Sequence, residues 1–274
     1  MKRTTTTLAV LGLLLVAGQL QAKIAGPDPL FFRVGKADVI VVGTVSSYEE
    51  KAVAARRNPT DKDPVDHQVM LVKVGERLKG GDGLTHVRVA FVPVNSTRHP
   101  QLAPLAVGTR ACFFLRRHFK EDFYVAQPYY DTVAETKNEP LDKPLEAVKR
   151  MTKVAQRPGE ALKSKDAQER FLAATMLIAQ YRGTHFAGRP ANATRTEPID
   201  AAQSKLILEA LLAADWQQHD FDQPAPLTVF LWLGLTGKDG WKIMNGANVE
   251  VYEKQAKKWL QDHAGTYRIA KFVP

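Results

Sequence analysis

The chain has 274 residues and a single cysteine, Cys112, so no disulfide can form within it. Whatever compartment it works in, its core must hold by packing rather than by cross-links. Beyond residue 17 no apolar run approaches the roughly 20 residues that a membrane-spanning helix needs. No dense cluster of Lys or Arg appears: residues 23–143 carry 18 basic and 15 acidic side chains, residues 144–274 carry 18 and 14. That even spread excludes nucleic-acid binding as a reading of the charge pattern.

Catalytic signatures are also missing. The seven histidines never fall in an H-E-x-x-H or other close metal-ligand spacing. Ser46, Ser47, Ser96, Ser164 and Ser204 fit neither G-x-S-x-G nor S-x-x-K. Gly80-Gly81-Asp82-Gly83 lacks the Lys-Ser/Thr that completes a phosphate loop. No cofactor is expected.

What is present begins with a leader. Met1-Lys2-Arg3 is followed by the apolar run Leu8 to Ala17 and a small, polar exit from Gly18 to Ala22. This is the pattern of a signal peptide covering residues 1–22, cut after Ala22, and it predicts a secreted or periplasmic protein. Cleavage lowers the formal net charge from +9 to +7, because Lys2 and Arg3 are lost. The mature chain would then begin at Lys23.

The composition changes near Asn138 to Pro144, so the mature chain divides into residues 23–139 and 140–274. The first part reads as five strands, 38–46, 67–74, 86–92, 111–115 and 123–126. The run Asp38 to Ser46 is β-branched throughout and predicts a strand covered on both faces. Val87, Val89 and Phe91 alternate with His86, Arg88 and Ala90, as in a half-buried strand. Gly80, Gly81 and Gly83 mark a turn that needs positive φ. The stretch Glu49–Asp66 is a charged loop. Five short strands in about 90 residues predict a small closed barrel.

The second part reads as helices. One spans 144–154. Another follows Asp166, whose spacing to Glu169 fits a capping box, and buries Phe171, Ala174, Thr175, Ile178 and Tyr181. Asp200 and Asn248 cap two more. Pro226–Leu233 is expected as a central buried helix, and the last helix presents Val249, Tyr252, Ala256, Trp259 and Leu260. The tail 267–273 packs back. The fold class is therefore α+β, with a five-stranded OB-like β-barrel followed by an α-helical domain.

The runs Ala37-Asp38-Val39-Ile40-Val41-Val42-Gly43-Thr44-Val45, Val72-Lys73-Val74-Gly75-Glu76-Arg77-Leu78-Lys79-Gly80, Val87-Arg88-Val89 and Gly108 to Leu115 carry a resemblance. Over residues 30–128 the chain resembles a divergent bacterial form of the netrin-like, metalloproteinase-inhibitor-like superfamily. That resemblance implies an OB-type barrel and, as a lesser reading, a protease-inhibitor-like module. In those inhibitors a mature N-terminal cysteine chelates the protease zinc; here Lys23 takes that place. Leu233 to Trp241 and Lys258 to Arg268 are similar to secreted proteins of planctomycete-type bacteria, a likeness that brings no activity with it.

Three groups are candidates for chemistry or binding. Asp215, His219 and Asp222, with Asp220 among them, form a candidate metal set, Asp215 and His219 being one helical turn apart. They would serve a metal-assisted hydrolase. Asp61, Asp63, Asp66 and His67 form an acidic loop without the Gly and Glu of an EF-hand. Arg116, Phe119, Tyr124, Tyr129 and Tyr130 form a candidate binding surface, with Arg117, His118, Lys120 and Phe123 interleaved. The leading expectation is an exported, non-enzymatic binding or scaffolding protein. Its partner would be an envelope or extracellular protein or a polysaccharide, not a nucleic acid.

Overall fold

The computed structural model describes residues 26–94, 102–182, 195–217, 222–242 and 248–273. The leader, Gly183 and His219 lie outside these residues. The described part is α+β, strand-rich at first and then helical. A short helix α1 (Leu30–Lys36) precedes seven strands: β1 (Val39–Tyr48), β2 (Val53–Ala55), β3 (Val65–Lys79), β4 (His86–Phe91), β5 (Arg110–Arg117), β6 (Tyr124–Val125) and β7 (Thr132–Ala134). Helices α2 (Asp142–Gln156), α3 (Pro158–Ala161) and α4 (Ala167–Arg182) follow. Next come β8 (Arg195–Pro198), α5 (Ala201–Leu212), α6 (Pro226–Trp232), α7 (Val249–His263) and β9 (Ala270–Val273).

Five strands pair in a ring. β1 lies antiparallel to β3, β3 to β4, β5 to β6 and β5 back to β1, and a short parallel pairing of β4 with β6 closes the circuit. β2 extends β3, and β7 extends β5. Alternation along a strand sends successive side chains to opposite faces. Val39, Val41 and Val45 of β1, Val87, Val89 and Phe91 of β4, and Ala111, Phe113 and Leu115 of β5 fill the inside of the ring. Ile40, Val42, Cys112 and Phe114 face outward and join the core of the helices. The unbroken apolar run of β1 thus has its expected cause: both faces are covered.

Two local devices shape the ring. Gly43 sits where the β1–β3 register shifts, and a Cβ there would stand 2.7 Å from the Lys73 carbonyl oxygen. The bulge requires that close backbone approach. Gly80, Gly81 and Gly83 all take positive φ in the β3–β4 turn, as the sequence predicts. The loop expected over 49–66 contains the short strand β2, and β3 runs five residues past its expected end.

The helical part is organised around α4. Nine of its residues are buried, on every side of the helix, so it rather than α6 is the central element. In α6 Val229 and Phe230 are buried, whereas Leu231 is half exposed. Asp200 accepts the Gln203 N–H and Asn248 accepts the Val251 N–H, each at 3.0 Å, fixing the starts of α5 and α7. Asp166 accepts the Gln168 N–H at 2.8 Å, while Glu169 takes a hydrogen bond from the Ser164 hydroxyl. Val249 is exposed, but Ala256, Trp259 and Leu260 are buried as expected. The tail forms β9 and pairs with β8.

Helix α1 is the wedge between the two parts. Leu30, Phe31, Phe32 and Val34 are buried on its different sides, and the Phe31 N–H donates to the Asp222 carbonyl at 3.0 Å. Lys79, at the end of β3, donates from Nζ to the carbonyls of Val34 and Ala37, closing the C-terminal end of α1. One contiguous apolar cluster runs from Leu30 through Ile40 and Phe114 to Trp259 and Ile269.

Candidate binding cleft

A cleft of about 350 Å³ opens where α1 meets β5 and the turn before β7. Asp28, Arg33, Lys36, Phe114, Arg116, Tyr130 and Asp131 line it, together with Gln127. The volume lies at the lower end of the range for small-ligand sites. α1 supplies Arg33 because its long amphipathic side chain, next in sequence to the buried Phe32, runs along apolar surface before its guanidinium reaches the cleft. Its guanidinium lies 4.9 Å from the centre of the Phe114 ring, and Nη1 donates to the Thr132 carbonyl at 3.0 Å.

Arg33 is only 9% exposed. Burial pulls its pKa below the usual arginine value, partly offset by the carboxylates of Asp222, Asp131 and Asp28. Its Nε is buried without an acceptor among the described residues. Lys36 and Asp28 pair at 2.8 Å. Arg116 stands 3.9 Å from Asp131, a loose contact. Burial raises the Asp131 carboxyl above the ordinary range, against the Gln127 N–H that donates to it at 2.9 Å.

The expected aromatic surface divides among three places. Arg116 and Tyr130 line the cleft, and Tyr129 meets Tyr130 edge to face at 4.9 Å. Arg117 points to the opposite face of β5, where its guanidinium lies 5.7 Å from the Tyr124 ring. Phe119 is partly exposed beside His118 and Arg56. Phe123 is buried. Sequence reasoning did not single out Arg33, Lys36 or Asp28. The only signal for them is one Arg inside the apolar run Leu30-Phe31-Phe32-Arg33-Val34.

The metal candidates are placed as follows. Asp215 lies beyond the end of α5, and its carboxylate accepts the local Gln217 N–H at 3.0 Å. The helical spacing that linked it to His219 therefore does not apply at Asp215. The Asp222 carbonyl caps α1 at Phe31. Among the described residues no group of three His, Cys, Asp or Glu side chains is arranged to hold a metal. Cys112 is fully buried, and desolvation pushes its thiol up to about 12, so it is packing rather than a nucleophile.

His67 and His118 form a buried pair outside the ring, with centroids 6.4 Å apart and Phe123 against both. His118 donates from Nε2 to the Arg56 carbonyl and accepts the Lys120 and Glu121 N–H groups at Nδ1. Desolvation is the main cause that lowers the His67 pKa from the usual 6.5. The unfolded chain therefore takes up a proton first as pH falls. Stability from this site is fully present above pH 6.5 and declines below it, until the pH passes the folded value. Denaturant midpoints measured from pH 8 to pH 5 are expected to fall less steeply in His67→Phe than in the parent. An unchanged slope contradicts this assignment.

The chain matches no family model, and no curated protein matches it at a significant level. No helix among the described residues is long and apolar enough to cross a membrane.

Proposed function

We propose that this is an exported, non-enzymatic binding protein that takes its ligand in the α1–β5 cleft. The observation that carries the reading is the cleft itself, which holds a nine-tenths-buried guanidinium with an unused donor. Buried polar groups in native proteins are nearly always satisfied, and an open donor beside a cleft can take a partner from outside the chain, such as water, an ion or a ligand. The leader, residues 1–22, supports export, with the mature chain beginning at Lys23. The ring is an OB-type barrel in this reading. Its support is the strand circuit, with the first ring strand between the second and the fourth and a parallel contact between the third and the fifth. OB barrels host many ligands, so the fold supplies a platform and the cleft supplies the function.

A photo-crosslinking residue at Gln127, on the cleft, should give a discrete adduct in the envelope or secreted fraction. The same residue at Lys205, exposed on α5, should not. Adding Arg116→Glu to the Gln127 probe should abolish the adduct. No adduct at position 127, or equal adducts from both positions, overturns the reading.

A further inference from the structure

Resting on the cleft reading, we infer that the ligand is an organic monocarboxylate, held side-on by the Nε–Nη2 edge of Arg33 and steadied by Arg116. The guanidinium has two edges on which paired donors point in parallel. Nη1 is committed to the Thr132 carbonyl. Neither Nε nor Nη2 has an acceptor among the described residues, and the Nε atom is buried. Two parallel N–H groups in a buried site fit the two oxygens of a carboxylate, and such forked pairs are the stronger class of hydrogen bond.

The surrounding charges select a single negative charge. Arg33, Lys36 and Arg116 face Asp28 and Asp131 across the cleft, a net of one positive charge in the lining. Asp222, outside the lining, also acts on Arg33 and reduces that positive excess. A dianionic phosphate would bring two charges to a site that already holds these carboxylates, and like charges close together in a buried setting are costly. A monocarboxylate brings one charge where phosphate brings two, and so meets less of this repulsion. Lys36 is already paired with Asp28 at 2.8 Å, so Arg33 and Arg116 are the cations left for the ligand. Tyr130 offers a half-buried ring beside them for the rest of the molecule.

The test uses the purified protein and three probes: N-acetylglycine, its neutral amide N-acetylglycinamide, and inorganic phosphate. The readout is the ¹H–¹⁵N resonance of the Arg33 Nε–H, assigned through bonds from the Arg33 side chain and checked by its loss in Arg33→Lys. N-acetylglycine should shift this resonance saturably. The amide should leave it in place, and phosphate should bind about ten-fold more weakly or worse. Arg116→Gln, on an exposed side chain, should weaken N-acetylglycine by about ten-fold with an unchanged melting temperature, so the result stands even if Arg33→Lys fails to fold. Three outcomes overturn the inference: no saturable shift with N-acetylglycine, equal shifts from acid and amide, or tighter binding of phosphate. If the Gln127 adduct persists while N-acetylglycine does not bind, the cleft remains the binding site and only the ligand class falls.

Discussion

Phe114→Ala should destabilise the protein by about 3–5 kcal/mol, the range for truncating a large buried aromatic. Phe114 is 2% exposed and sits on the outer face of β5. It stands opposite Ile40 on the neighbouring strand β1 and packs into the apolar cluster of the helices. The Arg33 guanidinium also rests against its ring. Truncation therefore opens a cavity at the seam and removes the surface that holds Arg33 in place. Chemical denaturation should show the loss of stability, and the crosslink from position 127 should weaken even where the variant is folded. Phe113→Ala, one residue away but inside the ring, should cost a comparable amount and leave the geometry at Arg33 closer to that of the parent. Equal effects of the two variants on the crosslink would mean that Phe114 does not support the cleft.

The parts of this fold that are written locally could be read from the sequence. The alternation of Val87, Val89 and Phe91 is the inner face of β4, and the continuous run of β1 is a strand covered on both sides. Asp200 and Asn248 cap the helices they precede, since an N-cap needs only an acceptor next to the first turn. Gly80, Gly81 and Gly83 adopt the positive φ that a tight turn demands. Short elements were not legible. β2 and β7 have three residues each, too few for a periodic pattern, and their strand character comes from the neighbours they pair with. α1 is a seven-residue, largely apolar helix whose sequence alone does not separate helix from strand.

The cleft was half legible for the same reason. Arg116 and Tyr130 stood out because aromatic and basic residues cluster in one stretch. Arg33, 83 positions before Arg116, joins them only because α1 packs against β5. The stretch also contained a false unity: Arg116 and Arg117 are neighbours in sequence but face opposite sides of the strand, so Tyr124 and Tyr130 belong to different surfaces. Asp215 lies beyond the end of α5, and His219, its partner four residues on, lies outside the described residues.

The cleft is a fixed site only if ring and helices behave as one body, because its walls come from α1 and from β5. A substitution deep in the helices tests that claim from a distance. Trp259 is 4% exposed, stacks flat on His263 at 4.7 Å, meets Phe230 and Tyr267 edge-on, and donates to the Asp239 carbonyl at 2.7 Å. Trp259→Ala should cost about 3–5 kcal/mol, with a further contribution from the stranded carbonyl. All four tryptophans lie between residues 216 and 259, whereas Ala111 is buried on the inner face of β5. Cys112 faces the helices, so a thiol that reports on the ring alone is Ala111→Cys in a Cys112→Ala background. The most direct measurement is the denaturant dependence of labelling at position 111 in that background, with and without Trp259→Ala. One shared core predicts that the labelling midpoint falls with Trp259→Ala by the same free energy as the loss of tryptophan-reported structure. A labelling midpoint that stays where it is without Trp259→Ala would show that the ring holds independently of the helices, and that the cleft between them is not a fixed site.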